Sequence, residues 1–116
     1  MADRSKDMKG TIKDLLKVSG VHGYVLATQK NIQIKLPSLH KFANAKDRIK
    51  LLYEELAQAK KRPGNIIEVF LDDIVLTIFM NGMTMLMILS SPHVNLALVR
   101  MTGKLVIANI VKEMSS

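Results

Sequence analysis

An α+β domain on a five-stranded antiparallel sheet, with helices on both faces, is predicted by three features of this sequence. Five β-patterned runs occur as a pair and then a triplet, each separated from the next by turn residues. Segments of helical periodicity precede, divide and follow them, giving the order α-β-β-α-β-β-β-α. The last two β-runs are apolar on both faces, so the sheet needs cover on both sides. One helix on one side and two on the other buries everything described below, a three-layer arrangement.

The first helix is read over 4–18. Met8, Ile12, Leu15 and Leu16 share a face, Asp3 and Asp7 suit the positive end of the dipole, Lys17 suits the negative end, and Gly20 stops it. Lys6, Lys9, Lys13 and Lys17 form a solvated stripe. Residues 24–28, Tyr-Val-Leu-Ala-Thr, are β-branched and aromatic, hence a strand. After a turn at Gln29-Lys30-Asn31, Ile32, Ile34 and Leu36 alternate with Gln33 and Lys35. Lys35 and Pro37 are the devices an edge strand uses against further pairing.

A long helix is predicted over 38–61. Phe42, Ala45, Ile49, Leu52, Tyr53, Leu56 and Ala59 keep its repeat, with Lys46, Lys50, Glu54 and Glu55 outside. Lys50 and Glu54 are spaced to pair, and Lys60-Lys61-Arg62 followed by Pro63-Gly64 ends it. Strands are then predicted over 65–71, 74–80 and 83–89, joined at Asp72-Asp73 and Asn81-Gly82 into a meander. Met83, Met85 and Met87 read as adaptable core filling. After the loop Ser90-Ser91-Pro92-His93, Asn95 caps a last helix reaching about Met114. Gly103, in mid-helix, costs about 1 kcal/mol relative to Ala and marks a close approach to a neighbouring element.

The 116 residues make one domain, 1–116, with 48% hydrophobic and 23% charged residues, a folded and not a disordered composition. Cysteine is absent, which excludes disulfides, thiol nucleophiles and thiolate zinc sites. Aromatics at 4% supply few stacking platforms for single-stranded nucleic acid. The charged N-terminus carries no apolar signal core, and the apolar run 74–89 is too short to span a bilayer and is broken at Asn81-Gly82. A cytoplasmic protein without a transmembrane segment is expected. The net charge of +7 is uneven: 14 Lys/Arg against 6 Asp/Glu over 1–62, and 3 against 4 over 63–116. A basic nucleic-acid or anionic-membrane module is therefore the alternative reading, although a solvated basic face accounts for the charge.

No phosphate-cradling glycine loop occurs, His22, His40 and His93 lack metal spacing, and Asp72-Asp73 has no accompanying base or ligand. No catalytic residue, metal or cofactor is assigned, and a non-enzyme is expected. What stands out is a surface. The run Ile66-Ile67-Glu68-Val69-Phe70-Leu71 forms the outer strand of the meander, with no Lys, no Pro and only Glu68 as guard. A homodimer is expected, or pairing with a close relative, through Ile67, Val69, Phe70 and Leu71 of that strand and Leu51 and Tyr53 of the long helix.

Two segments resemble the roadblock (dynein light chain roadblock-type) family. Val18-Ser19-Gly20-Val21-His22-Gly23-Tyr24-Val25-Leu26 resembles its "P/S-G-V-x-G" passage from first helix to first strand. Asn95-Leu96-Ala97-Leu98-Val99-Arg100-Met101 resembles the "N-L-G-L-V-R-x" start of its last helix. The chain departs at Gln29-Lys30-Asn31, where many members have an acidic-glycine turn, and at Ala97, where glycine is common. The resemblance implies a roadblock/profilin-like fold and a non-enzymatic dimer with a ten-stranded sheet. It implies a regulator or scaffold of a Ras-like GTPase or another NTPase or motor complex. By position, the partner platform is 39–62, with Lys46, Arg48 and Lys50 as candidate contacts. Similar α+β layers elsewhere enclose ligands, so a small-molecule sensor is a further alternative.

Overall fold

The order of elements follows from which runs can bury a face. In the computed structural model, residues 11–59 and 66–114 are described. They form α1 (Ile12–Leu16), β1 (Val21–Ala27), β2 (Ile32–Lys35), α2 (Lys46–Gln58), β3 (Ile66–Phe70), β4 (Val75–Asn81), β5 (Thr84–Ser90) and α3 (Leu96–Met114). The five strands make one antiparallel sheet in the order β2-β1-β5-β4-β3. The meander β3-β4-β5 thus sits beside the β1-β2 hairpin, with β2 and β3 at the two edges.

Two apolar layers flank the sheet. On one face Ile49 and Tyr53 of α2, with Ala45 just before it, lie over Val25, Ala27, Leu76, Ile78, Met80, Met85 and Met87. On the other, Leu15 of α1 and Val99, Val106 and Ile107 of α3 lie over Tyr24, Phe79, Leu86 and Ile88. β5 is buried along its whole length, as a central strand covered on both faces must be. The methionine row splits: Met85 and Met87 fill the α2 layer, and Met83 lies in the exposed turn.

Several boundaries differ from the sequence reading, each for a local reason. Helix 4–18 does not run continuously through Thr11, which is extended (φ −85°, ψ 162°) and caps α1. The Thr11 hydroxyl accepts from the Asp14 N–H and the Asp14 carboxylate accepts from the Thr11 N–H, a reciprocal capping box. Met8, Lys6 and Lys9 lie outside the described residues. So do Lys60-Lys61-Arg62, the Pro63-Gly64 stop and Asn65.

The helix expected from 38 begins only at Lys46. Between Pro37 and Ala45 the chain makes successive turns, with His40 N–H donating to the Pro37 carbonyl and Ala43 N–H to that of His40. Lys41 is held 2.8 Å from the Asp73 carboxylate, which fixes this segment to the β3-β4 turn. Phe42 still packs on the core, so its place in the helical repeat was coincidental.

The β4-β5 turn is shifted by one residue. Asn81 pairs with Thr84, leaving Gly82 and Met83 as the two central residues, with Gly82 at φ +60°. Glycine at the first central position suits a primed hairpin turn, as does Asn-Gly, so the dipeptide alone did not fix the register. Both faces of β4 and β5 are apolar, and alternation could not decide it either.

At α3 the reading holds. Asn95 Oδ1 accepts from the Leu98 N–H at 3.1 Å, the expected cap. Gly103 lies against Phe79 so closely that a Cβ there would stand under 3.0 Å from two ring carbons. No described helix is long and apolar enough to cross a membrane.

Candidate interaction surface

β3 pairs with β4 only, so its outer row of N–H and C=O groups has no strand partner among the described residues. Ile66 packs into the α3 layer and Ile67 into the α2 layer, which anchors the first half of the strand. The end of the strand opens outward, Val69 being 37% and Phe70 62% exposed, and Leu71, 38% exposed, follows at the start of the β3-β4 turn. Three large apolar side chains in succession thus stand at the end of an open edge strand and just beyond it.

Glu68 does not guard that edge. Its carboxylate accepts two hydrogen bonds from the Arg100 guanidinium of α3, Nε at 2.7 Å and Nη2 at 2.8 Å. This two-pronged bond holds the Glu68 carboxyl below the usual carboxylate range, more than offsetting the opposing effect of its burial. The charge is thereby drawn back over the α3 face. No sequence signal marks this pair, because its members stand 32 residues apart.

The other expected interface residues separate. Leu51 is 64% exposed on the outer face of α2. Tyr53 is only 6% exposed, and its hydroxyl donates to the Met83 carbonyl at 2.7 Å. Its side chain belongs to the chain's own core, and burial raises its pKa above the ordinary 10.0. The expectation that Tyr53 faces a partner is corrected: spacing alone could not tell the stripe from its margin, and the turn carbonyl supplies the buried partner that a tyrosine hydroxyl needs.

The three candidate cations also divide. Lys46 and Lys50 line a cleft of about 300 Å³ with Glu54, Tyr53 and the β1-β2 turn, including Thr28, Lys30 and Asn31. Arg48 does not line it. Lys50 and Glu54 form no ion pair; the direct ion pairs seen among the described residues are Lys41–Asp73 and Arg100–Glu68.

Two of the three histidines, read from the sequence only as lacking metal spacing, meet in the fold. His22 is the extra residue of an irregularity in β1, where Val21 pairs with Ser90 and Gly23 with Leu89. Its Nδ1 lies 3.1 Å from His40 Nε2, and His40 Nδ1 accepts from the Phe42 N–H at 3.1 Å. The network is satisfied when both rings are neutral and His40 Nε2–H donates to His22. Burial first, then the nearby His22 and Lys41, lower the His40 pKa below 6.5 against the opposing pull of Asp73. No group of three His, Cys, Asp or Glu side chains among the described residues could hold a metal ion.

The fold as a whole is matched in a solved structure. A Roadblock/LC7 domain from Streptomyces avermitilis superposes with a TM-score of 0.65 over 99% of this chain and 100% of that one, at 16% identity. The fold is of the roadblock type. No protein-family model matches the sequence, and no curated protein matches it. The roadblock-type fold is thus carried here by a sequence only 16% identical to that domain.

Proposed function

We propose that this roadblock-type protein is a non-catalytic, dimeric adaptor or regulator. It joins a second copy edge to edge through β3, with Ile67, Val69, Phe70 and Leu71 in the seam and Leu51 of α2 above it. The single observation that supports this most is the exposed Val69-Phe70-Leu71 row on an edge whose one acidic residue is tied to Arg100. An apolar, unguarded edge is an aggregation hazard unless another strand covers it. Pairing through a two-fold would extend the sheet and set the two α2 helices side by side on one face.

That paired face is the platform for a Ras-like GTPase or another NTPase or motor component, a role that the roadblock resemblance suggests and that belongs in the cytoplasm. Lys46 and Lys50, beside Lys30, give the platform a basic flank suited to an acidic partner surface. Substituting Val69→Lys tests the seam. It places a charge on the edge without disturbing a buried residue, and the expected result is a folded monomer in analytical ultracentrifugation. A V69K protein as dimeric as the parent refutes the seam. Capture on the immobilised protein in GDP and in a GTP analogue tests the platform, and nucleotide-dependent retention of a GTPase is the expected outcome.

A further inference from the structure

The charges on α2 run against the helix's own dipole. Lys46, Arg48 and Lys50 occupy its first half and Glu54 and Glu55 its second, and no basic residue stands in the last turn. Cations near the positive end and anions near the negative end are unfavourable in an isolated helix. Asp47 alone has the favourable sign. Nothing within the described fold offsets the arrangement, since neither Arg48 nor Glu55 has an ion-pair partner among the described residues.

The two flanks of α2 face different neighbours. Lys46, Lys50, Tyr53 and Glu54 turn toward the β1-β2 hairpin, where they line the cleft. Ile49 and Tyr53 point down into the sheet. Helical spacing then places Arg48, Leu52 and Glu55 on the opposite flank, toward the β3 edge, with Leu51 exposed just above. Arg48 and Glu55 are seven residues apart, about two turns or roughly 10.5 Å along the axis. Their midpoint falls between Leu51 and Leu52.

A two-fold axis at that midpoint has a definite consequence. It runs the second helix antiparallel and sets Arg48 opposite Glu55 of the second copy, twice, around a centre of Leu51 and Leu52. We propose that α2 is the selectivity element of self-association, accepting a second copy of this same chain through reciprocal Arg48–Glu55 pairs. This rests on the edge-to-edge dimer proposed above. A relative whose helix carries acidic residues first and basic residues last would bring like charges together in the same antiparallel register and be rejected. The reversed polarity thus favours a homodimer over a mixed one.

The test uses the full chain with Arg48→Glu, Glu55→Arg and the double variant, all at exposed positions, followed by sedimentation equilibrium and circular dichroism. Each single reversal acts twice across the axis and is expected to weaken self-association by about thirtyfold at low salt, less at high salt. The double variant restores it to within about threefold, as like-for-like exchange of both charges should. The sharpest arm mixes the two single variants. R48E carries only acidic groups at these positions and E55R only basic ones, so the mixture should form a heterodimer where each alone is mostly monomeric. A dimer unaffected by either reversal, or a double variant no better than the singles, overturns the register while leaving the β3 seam standing. A parent protein that is monomeric overturns both, and a V69K variant that stays dimeric locates the failure in the seam itself.

Discussion

Gly103→Ala sets two known effects against each other at one atom. Replacing glycine by alanine in a helix interior contributes about 1 kcal/mol through backbone entropy. Here the new methyl would stand under 3.0 Å from Cε1 and Cζ of Phe79 and 3.0 Å from Cδ1 of Ile88. Both neighbours are buried in the α3 layer, so neither has open space to retreat into. Forcing one carbon into such a packed core costs about 1–3 kcal/mol. The helix must lift from the sheet along Val99, Val106 and Ile107, and the propensity gain recovers only part of the loss. With two buried neighbours in the way the cost falls at the upper end of that range, about 2–3 kcal/mol, so the expected net effect is a destabilisation of about 1–2 kcal/mol, or roughly 4–8 °C in Tm for a domain of this size. Urea denaturation followed by circular dichroism measures it directly. Adding Phe79→Leu removes the two ring atoms that the methyl meets, so the double variant should lose less than the sum of the single losses. If Gly103→Ala instead stabilises the protein by about the propensity value, the close approach of α3 to β4 is wrong.

Three further outcomes follow from groups the fold holds in place. Tyr53→Phe leaves the Met83 carbonyl without its hydroxyl partner and should cost about 1 kcal/mol by the same denaturation assay. Because burial raises the Tyr53 pKa, its contribution is complete below pH 10 and is lost as pH rises through the folded value, so its ultraviolet titration should lag behind that of a free tyrosine. For Glu68, the Arg100 bond lowers the folded pKa, so the stabilisation is present above the ordinary 4.5 and is lost as pH falls through the folded value. Glu68→Gln should flatten stability against pH in that acid window, read as urea midpoints across a pH series. For His40 the folded pKa lies below 6.5, so the neutral pair stabilises above that pH and the effect is lost as acidification passes the folded value. His40→Gln should remove the midpoint's dependence on pH just below 6.5, and NMR of the imidazole protons would show His40 titrating at lower pH than a free histidine.

What the sequence made legible was whatever repeats along the chain. The alternation of Ile32 and Ile34 with Gln33 and Lys35 specified an edge strand, and doubly apolar runs specified the centre of a covered sheet. The outer position of β3 followed from the meander alone, before any pairing was visible. What stayed hidden was whatever joins distant residues. Glu68 reads as a lone guard until α3 brings Arg100 to it, and His22 and His40 read as separate until the β1 irregularity and the turns after Pro37 bring their rings together. The start of α2 failed for a related reason. Phe42 and Ala45 continue the helical repeat, but the Lys41–Asp73 pair and the His40–Phe42 bond hold the chain in turns there. Tyr53 shows the same limit within a helix, since periodicity places a residue near the stripe and only packing says on which side of the margin it falls.

The two edges of the sheet bear differently on assembly. β2 is short, presents Lys35 outward and runs toward Pro37, so it offers little to a further strand. β3 is longer, apolar at its far end, and its acidic residue is turned toward α3. A sheet with two open edges would add copies at both ends and grow without limit, whereas one with two guarded edges would not add any. One open and one guarded edge permit a single kind of contact, β3 with β3, and that contact must be two-fold because each chain offers the same surface. Once it forms, the paired sheet ends on β2 at both extremities and growth stops. The Arg100–Glu68 bond therefore bears on more than the stability of one chain. In the dimer proposed above it would keep the acidic group off the seam, and it joins the edge strand to α3.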